Sequence, residues 1–366
     1  MKRVMVVMGT RPEAIKLCPL VRELKKRDAF EVQICATGQH RAMLDSAMEA
    51  FSVKPDFDLD VMRTGQSSAT LAARILIKLD EVLEAERPDA VLVQGDTTSA
   101  FAAGISAFYR RIKLGHVEAG LRTYHSHSPF PEEFHRQALG LTADFHFAPT
   151  VTAKKNLVRE GKAESSVFIT GNTVVDALRL TLLEREPTVV WDLPSDHRII
   201  LFTAHRRENL GAPIRGMFSA LRRIVDSYDD VIAICPLHHN PEVRQAASEY
   251  LQGHPRIRMI EPPEIVSFHH LLSRAYLILT DSGGIQEEAV ALGIPTVVMR
   301  YSTERSEGMR AGVLRLAGSG EEGIFETAAR LLAPDSEEYA LMKRPSAVFG
   351  DGRASVRIAN ILEAVV

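Results

Sequence analysis

A serine and glycine turn late in the chain carries the residue types that bind phosphate. The chain reads Thr-Asp-Ser-Gly-Gly-Ile-Gln-Glu-Glu from Thr280 to Glu288, directly after the apolar run from Tyr276 to Leu279. This order predicts a buried strand that ends in a turn and opens a helix. Backbone N–H groups at Ser282, Gly283 and Gly284 can approach a phosphate, because glycine lacks a Cβ and a helix N-terminus has unpaired donors. An Asx or Ser helix cap explains the same residues, and the motif alone leaves both interpretations open.

Carboxylates at three predicted positions add acid–base and hydroxyl-binding chemistry. Glu288 lies about one helical turn beyond the glycines, where a carboxylate can hold sugar hydroxyls. Asp96 follows the buried run 90–93, and Glu118 follows the run 112–117. In an open parallel sheet such strand ends border the ligand crevice. Asp96 is equally suited to cap the helix that begins at the following threonines.

Basic and acidic residues also stand at predicted helix starts and in one loop. Arg11 opens the first helix and Lys16 lies about one turn later on the same side. The two can join backbone donors around a diphosphate, and a solvated basic pair is the alternative. Glu132 and Glu133 begin a later helix, where acidic residues suit the macrodipole. Arg305 lies in a loop, where it can meet phosphate or stack on a base.

Two successive series of strands and helices must position these residues. The first runs from the strand 3–8 to short strands near 145–148 and 167–170, and the second begins with the strand 198–203. This alternation predicts an α/β protein with two Rossmann-like domains that face one another across a cleft. The predicted domains are 1–172, joined by the C-terminal helix 353–366, and 173–352. The polar stretch 184–196 is the predicted linker.

Composition limits the classes of function. The 366 residues are 45% hydrophobic and 25% charged, as in an ordinary globular protein of more than one domain. The net charge of -3 gives no general reason to bind nucleic acid or an anionic membrane. The three cysteines lack metal or redox spacing, and the apolar start of the chain is too short to span a bilayer, so we expect a cytoplasmic protein. The 13 histidines are scattered or adjacent, and we expect no metal and no cofactor.

Several longer blocks together resemble the non-hydrolysing UDP-N-acetylglucosamine 2-epimerases. The resemblance extends from about Val4 to Ser355 in the same order. The blocks that carry it are Gly9 to Lys16, Gly95 to Thr98, His116 to Thr123, Pro129 to Glu133, His205 to Asn209 and Asp281 to Glu288.

This resemblance implies a GT-B-type fold and the interconversion of UDP-N-acetylglucosamine and UDP-N-acetylmannosamine. It implies that the second domain holds the nucleotide and that the C-terminal helix returns to the first domain. An enzyme of this type eliminates UDP across carbons 1 and 2 to give a 2-acetamidoglucal, then adds UDP back with the opposite configuration at carbon 2. A homodimer that serves cell-envelope polysaccharide synthesis is also implied.

The resemblance assigns roles to residues by position. Asp96, Glu118, Glu132 and His205 match positions tied to catalysis, and we expect the carboxylates to differ in pKa so that one acts as acid and another as base. Glu288 is expected on the ribose and Phe268 near the uracil. The remaining substrate-binding positions are Arg11, Lys16, Arg136, His238, Ser282, Gly283, Gly284 and Arg305.

Departures from the family pattern keep other substrates open. His135 stands where the family usually has Asn, and Ser306 where it has Pro. The segment 347–349 also differs. An epimerase of another UDP-2-acetamido sugar is therefore the nearest alternative, followed by a GT-B glycosyltransferase and by a non-enzymatic nucleotide-sugar binding protein.

A second, activating UDP-N-acetylglucosamine binds many bacterial members at a Gln-His-Arg turn. Gln39, His40 and Arg41 match that turn. Ala42 and Gly65 depart from the pattern, which argues against activation of this kind.

Overall fold

The computed structural model describes residues 1–39, 41–63 and 65–366, apart from the side chains of Arg41, Ala42 and Arg207. The chain forms two compact units. Unit 1 contains Met1–Leu180 and Gly350–Val366, and unit 2 contains Thr181–Phe349.

Unit 1 is a parallel sheet of seven strands with helices between them. The spatial order of the strands is β3-β2-β1-β4-β5-β6-β7. The strands are β1 (Lys2–Met8), β2 (Phe30–Ala36), β3 (Phe57–Asp58), β4 (Ala90–Gln94), β5 (Lys113–Val117), β6 (Phe145–Ala148) and β7 (Val167–Ile169). The helices are α1 (Arg11–Lys25), α2 (Arg41–Ala50), α3 (Ser68–Glu86), α4 (Thr98–Tyr109), α5 (Glu132–Thr142), α6 (Val151–Arg159), α7 (Thr173–Glu184) and α15 (Ala354–Val365).

Unit 2 repeats this plan with a parallel sheet of six strands in the order β10-β9-β8-β11-β12-β13. The strands are β8 (Arg198–Thr203), β9 (Val231–Pro236), β10 (Ile257–Ile260), β11 (Leu277–Thr280), β12 (Thr296–Val298) and β13 (Leu314–Leu316). The helices are α8 (Ala212–Ser227), α9 (Pro241–Leu251), α10 (Ile265–Ser273), α11 (Gly283–Leu292), α12 (Ser306–Arg310), α13 (Glu321–Leu332) and α14 (Glu337–Met342).

Burial on both faces explains why the central strands are apolar throughout. In β1 the residues from Val4 to Met8 are completely buried, as are Val91, Leu92 and Val93 of β4. Helices cover both faces of a parallel sheet, so such strands read as continuous apolar runs. In unit 2, Phe202 of β8 packs on Phe218 of α8 with ring centroids 5.3 Å apart.

Each sheet has one point where the strand order reverses. In unit 1 this point lies between β1 and β4, which pair in parallel with Val4 beside Ala90. In unit 2 it lies between β8 and β11, where Thr203 pairs with Thr280. In open α/β sheets the crevice beyond the carboxyl ends of these two strands is the usual place for a ligand. The loops after β1, β4, β8 and β11 are therefore the first places to look for a site.

The division between the units falls within α7, eight residues after the boundary predicted at residue 172. Most of this helix belongs to unit 1 because Asp176 fixes the start of α15. Its carboxylate oxygens accept hydrogen bonds from the backbone N–H groups of Ala354 at 3.1 Å and Ser355 at 2.7 Å. A buried carboxylate thus joins α7 to the returning C-terminal helix.

Among the residues that the structure describes, no helix is both long and apolar enough to cross a bilayer.

Candidate functional site

At the reversal point of unit 1, a buried carboxylate joins the loops that follow β1 and β4. Glu13 Oε2 accepts hydrogen bonds from Gly9 N at 3.1 Å and Thr10 Oγ1 at 2.7 Å, while Oε1 accepts from Thr97 Oγ1 at 2.8 Å. Burial raises the pKa of Glu13 to about 7, although these hydrogen bonds oppose the rise. Glu13 therefore holds together the two loops that border the predicted ligand edge.

Asp96 lies in the second of these loops and is held by two neighbouring residues of α5. Arg136 Nε donates to Asp96 Oδ2 at 2.8 Å, and His135 Nδ1 is 2.8 Å from the backbone oxygen of Asp96. About a quarter of the Asp96 side chain is exposed. The geometry is that of a fixed carboxylate that still reaches solvent.

Glu118 follows β5, the neighbouring strand, in a conformation that non-glycine residues rarely adopt. Its φ is 65°, in the left-handed region. Its carboxylate forms a buried ion pair with Lys16, and Oε2 also accepts from Asn172 Nδ2 at 2.8 Å. Left-handed residues of this kind are uncommon and concentrate at functional sites. The Lys16 ammonium stabilises the ionised form of the carboxylate.

His116 is a buried residue of β5, two residues before Glu118. Its Nε2 is 2.7 Å from the backbone oxygen of Gly95, so Nε2 carries the proton and donates. Burial lowers the pKa of His116 to about 4, against the opposing effect of the charges on Asp96 and Glu118. The imidazole is therefore neutral at neutral pH and fixes the turn that precedes Asp96.

The adjacent acids Glu132 and Glu133 at the start of α5 have different surroundings. Glu133 is completely buried and accepts from the backbone N–H groups of Thr123 at 3.0 Å and Tyr124 at 3.1 Å. Glu132 is half-buried at the first position of the helix, and its charge is felt by the His135 imidazole. Glu133 thus fastens the loop after β5, while Glu132 remains the member of the pair with access to solvent.

In unit 2, the predicted phosphate turn opens α11 without a side-chain cap. Ser282 occupies the N-cap position, and within the described part of the chain its side chain makes no capping hydrogen bond. A methyl group added to Gly284 would meet no atom of the described chain within 4 Å. The N-terminal donors of α11 are thus approachable at this glycine.

Arg305 packs directly against the same turn. A Cβ placed on Gly283 would lie 2.8 Å from Arg305 Cζ, so only glycine allows the guanidinium this close. Arg305 Nε donates to Glu287 Oε1 at 2.9 Å, and its Nη1 is 3.4 Å from Glu304 Oε2. Burial opposes ionisation of Glu304, but the guanidinium groups of Arg305, Arg300 and Arg206 outweigh it and lower its pKa. The arginine is held in place by acids on two sides.

Asp281 organises the loop after β8 instead of capping α11. Its carboxylate accepts from the backbone N–H groups of His205 at 3.1 Å and Arg206 at 3.0 Å, and from Asn209 Nδ2 at 2.9 Å. His205 Nδ1 is 3.5 Å from Asp281 Oδ1, and its ring stacks on His238 with centroids 5.5 Å apart. Burial and the neighbouring His205 lower the pKa of His238. Two imidazoles therefore lie together beside the turn that leads into α11.

Glu288, on the next turn of α11, is oriented by a buried histidine. His269 Nε2 is 3.2 Å from Glu288 Oε1, and His269 Nδ1 is 2.6 Å from Thr181 Oγ1. A carboxylate accepts only, so Nε2 carries a proton and donates to Glu288. The neighbouring Phe268 is half-buried, and its ring is tilted relative to the His269 ring with centroids 6.2 Å apart.

The structure divides the predicted residues into two groups, one in each unit. The group in unit 1 comprises Arg11, Lys16, Asp96, Glu118, Glu132 and Arg136, and the group in unit 2 comprises His205, His238, Phe268, Ser282, Gly283, Gly284, Glu288 and Arg305. His40 and the side chains of Arg41 and Ala42 lie outside the described residues.

Four residues that hold these side chains or their loops were not predicted as site residues: Glu13, Asn172, His269 and Asp281. The spacing from Thr10 to Glu13 is that of a capping box, which signals a helix start but not the link to Thr97. Asn172 and His269 contact partners far away in sequence, so no local pattern indicates their role. Within the described ranges, no group of three or more His, Cys, Asp or Glu side chains is placed to hold a metal ion.

Two parallel sheets with polar groups at both reversal points define an α/β protein with two Rossmann-like domains, the class to which nucleotide-sugar enzymes of the GT-B type belong. This confirms the predicted α/β class with two Rossmann-like domains. Residues 22–363 match the family described as UDP-N-acetylglucosamine 2-epimerase. The chain therefore belongs to the UDP-N-acetylglucosamine 2-epimerase family, and the predicted resemblance is confirmed.

Individual relatives agree over nearly the whole length. The UDP-N-acetylglucosamine 2-epimerase of Bacillus subtilis (strain 168) is 50% identical over 360 residues, which cover 98% of this chain and 94% of that protein. The crystal structure of the Neisseria meningitidis UDP-GlcNAc 2-epimerase bound to UDP-GlcNAc has a TM-score of 0.94 at 41% identity, with coverage of 98% and 99%. The S. aureus MnaA-UDP co-structure has a TM-score of 0.92 at 44% identity, with coverage of 100% and 96%.

Proposed function

We propose that the chain interconverts UDP-N-acetylglucosamine and UDP-N-acetylmannosamine by reversible epimerisation at carbon 2. The observation that carries the proposal is the pair of fixed carboxylates, Asp96 and Glu118, at neighbouring strand ends of unit 1. Arg136 and Lys16 hold them. Relatives with this family's name and with UDP-GlcNAc or UDP bound support the choice of substrate.

The reaction proceeds by elimination and re-addition. The carbon-2 proton is not next to a carbonyl, so simple removal and return of that proton faces a very high barrier. A carboxylate instead takes the proton, and the C–H electron pair forms a double bond between carbons 1 and 2. The bond from carbon 1 to the diphosphate oxygen breaks, and UDP leaves with that electron pair. UDP then adds back to carbon 1 of the 2-acetamidoglucal, and a proton is delivered to the opposite face of carbon 2.

The carboxylates of unit 1 serve the two proton transfers. Asp96, Glu118 and Glu132 are the candidates, and both the ionised and the protonated form are needed among them during one turnover. The ion pair with Lys16 favours Glu118 in its ionised form. The charge of Glu132 and that of Asp96 both act on His135, which is consistent with one carboxylate cluster.

The turn of unit 2 retains UDP while the sugar is detached. Backbone N–H groups at Gly283 and Gly284 and the guanidinium of Arg305 stabilise the charge that develops on the leaving diphosphate. Because acids fix Arg305 against Gly283, this donor is preorganised. Glu288, oriented by His269, holds the ribose hydroxyls.

Further contacts complete the proposed UDP site. Phe268 packs near the uracil. In unit 2, Ser282 adds a donor for the phosphate groups, and His205 and His238, which follow β8 and β9, lie together for contact with the sugar diphosphate. In unit 1, Arg11 lies on the first turn of α1 and is a further candidate for binding phosphate. No step requires a metal or a redox cofactor.

Three matched substitutions test the assignment. Asp96→Asn, Glu118→Gln and Glu132→Gln keep side-chain size and remove the proton-accepting charge. Each is expected to abolish formation of UDP-N-acetylmannosamine and exchange of the carbon-2 proton with solvent, while UDP binding by calorimetry stays near the wild-type value. Wild-type exchange in all three variants would contradict the mechanism.

We further propose that the chain acts as a homodimer in the cytoplasm, in cell-envelope polysaccharide synthesis. Three neighbouring helices of unit 1 expose large apolar side chains: Ile77 (64%), Phe108 (54%), Tyr109 (76%) and Leu141 (76%). Exposed apolar side chains of this size favour burial against a second copy. Light scattering should give twice the chain mass, and Tyr109→Glu should give a monomer.

The free buried cysteines are consistent with a reducing compartment.

A further inference from the structure

His135 of α5 is turned inward and makes a specific bond to the backbone beside a proposed catalytic group. It is 5% exposed, and its Nδ1 lies 2.8 Å from the carbonyl oxygen of Asp96. A carbonyl oxygen only accepts, so Nδ1 carries the proton and donates. The bond is present in both the neutral and the protonated imidazole, because each has a proton on this nitrogen.

The same turn is held from three directions. Arg136 Nε donates to the Asp96 carboxylate at 2.8 Å, His135 donates to the Asp96 backbone, and His116 Nε2 donates to the backbone oxygen of Gly95 at 2.7 Å. Gly95 has a φ of 72°, so the chain reverses sharply just before the acid. The direction of the Asp96 side chain therefore depends on where these backbone oxygens are fixed.

His135 supplies its donor without adding charge. Burial lowers the pKa of His135, although its bond to Asp96 and the charges of Asp96 and Glu132 oppose the effect. A permanently charged donor at this position would lie near both carboxylates and stabilise their ionised forms. A neutral imidazole fixes the backbone and leaves Arg136 as the cation paired with the Asp96 carboxylate.

We propose that His135 is a positioning residue for the epimerase reaction: its Nδ1–H sets the position of Asp96 through the backbone carbonyl. This inference rests on the proposed function, in which Asp96 takes part in proton transfer. It goes beyond that function because His135 touches no reacting atom in the proposal and stands at a position where the resemblance predicts asparagine.

A purely packing role is the competing explanation, because the His135 ring stacks on Phe101 with centroids 4.7 Å apart and planes at 13°. Two substitutions separate the roles. His135→Asn keeps an N–H donor at the same number of bonds from the backbone but removes the ring. His135→Phe keeps the stacked ring but removes the donor.

If His135 positions Asp96, the two variants diverge in kcat. We expect kcat of His135→Phe to fall about 10-fold to 100-fold, the effect of misplacing a reacting group by a fraction of an ångström to one ångström. KM for UDP-N-acetylglucosamine should change less than about threefold, since the UDP contacts lie elsewhere. His135→Asn should stay within about threefold of the wild-type kcat.

Two controls keep the comparison decisive. Phe134 has an exposed ring that also packs against Phe101, with ring centroids 5.5 Å apart. Phe134→Leu removes this ring and should leave kcat near the wild-type value. His135→Gln carries its amide one bond farther out and should lose kcat as His135→Phe does, which provides the test if the phenylalanine variant does not fold. Melting temperatures of all variants report folding.

The outcomes distinguish this inference from the proposed function. If His135→Phe retains the wild-type kcat, or if His135→Asn loses as much as His135→Phe, the positioning role is wrong. If the wild-type protein leaves UDP-N-acetylglucosamine unchanged, the proposed function is wrong. Crystal structures of the variants then decide the inference separately: Asp96 should move in His135→Phe and keep its place in His135→Asn, and an unmoved Asp96 in both would overturn the positioning role.

Discussion

Adding one methyl group at either glycine of the phosphate turn should weaken UDP binding, with opposite effects on stability. A Cβ on Gly283 would lie 2.8 Å from Arg305 Cζ, while ordinary contact begins at 3.4 Å. The guanidinium must therefore retreat by about 0.6 Å, the difference between these distances. The same shift can lengthen the 2.9 Å bond from Arg305 Nε to Glu287 Oε1 to about 3.5 Å, where it ceases to be a good hydrogen bond.

The expected magnitudes follow from that bond. Loss of a hydrogen bond to a charged group costs about 1.5–3 kcal/mol, so Gly283→Ala should lower the melting temperature and reduce UDP affinity about tenfold or more. At Gly284 a methyl meets no described atom within 4 Å. Alanine there should stabilise the fold by about 0.4–1 kcal/mol, because it reduces the conformational entropy of the unfolded chain. Its methyl group should nevertheless occupy the space of the diphosphate and weaken UDP binding.

Calorimetric titration with UDP and thermal unfolding of the two variants measure both effects. Wild-type UDP affinity in Gly284→Ala would mean that the diphosphate does not approach this turn. Wild-type stability in Gly283→Ala would refute the account of Arg305 packing.

Three further predictions concern residues found only in the structure. His269→Phe removes the donor to Glu288 and should raise the dissociation constant of UDP about 5-fold to 10-fold, whereas His269→Gln, which keeps a donor, should retain most of the affinity by calorimetry; equal affinities would argue against a role for Glu288 on the ribose. Asn172→Leu removes one donor to Glu118 and should lower kcat about tenfold with little change in KM, which steady-state kinetics would show; an unchanged kcat would mean that the Lys16 ion pair alone suffices. Glu13 has a pKa of about 7 in the folded chain against 4.5 for an ordinary glutamate, so the fold loses stability as the pH rises through that range and Glu13 ionises. Relative to Glu13→Gln, wild-type unit 1 should therefore lose about 1.4 kcal/mol of unfolding free energy per pH unit between about pH 4.5 and pH 7 and regain it on acidification, measured by urea denaturation. Parallel pH curves for the two proteins would show that Glu13 does not titrate in this window.

The sequence predicted the central strands because their chemistry is local. Completely buried parallel strands require continuous apolar runs, and polar residues must follow where each strand leaves the sheet. The predicted strands 198–203 and 145–148 are confirmed in full. Asp96 and Glu118 could be identified by position in the same way, because they follow the buried strands Ala90–Gln94 and Lys113–Val117.

Short edge elements and long-range contacts could not be predicted in this way. The edge strands β3 and β13 have two and three residues and carry no periodicity of their own. The division inside α7 depends on Asp176 meeting the backbone of α15, a contact 178 residues away in sequence. Likewise, acidic residues in a first helical turn suit the macrodipole, but only the fold shows that Glu133 instead fastens the loop before α5.

The polar groups at the ligand edge show the same limit. Sequence spacing suggests that Ser282 or Asp281 caps α11, yet Asp281 binds the loop after β8, 75 residues earlier. That pairing exists because β8 and β11 are neighbours in the sheet. Strand order therefore decides which acids and amides meet at a strand end. The amino-acid sequence of one chain does not give that order, so these pairings could not be predicted.

Solvent isotope incorporation shows whether the chain epimerises carbon 2 by elimination and re-addition. The wild-type protein is incubated with UDP-N-acetylglucosamine in deuterated water, with no acceptor, metal or nicotinamide, and the sugar is followed by proton NMR. Elimination and re-addition should give UDP-N-acetylmannosamine that carries deuterium at carbon 2, with slower appearance of the same label in the remaining substrate. A manno product that keeps its original carbon-2 proton, or a sugar that stays unchanged, would contradict it.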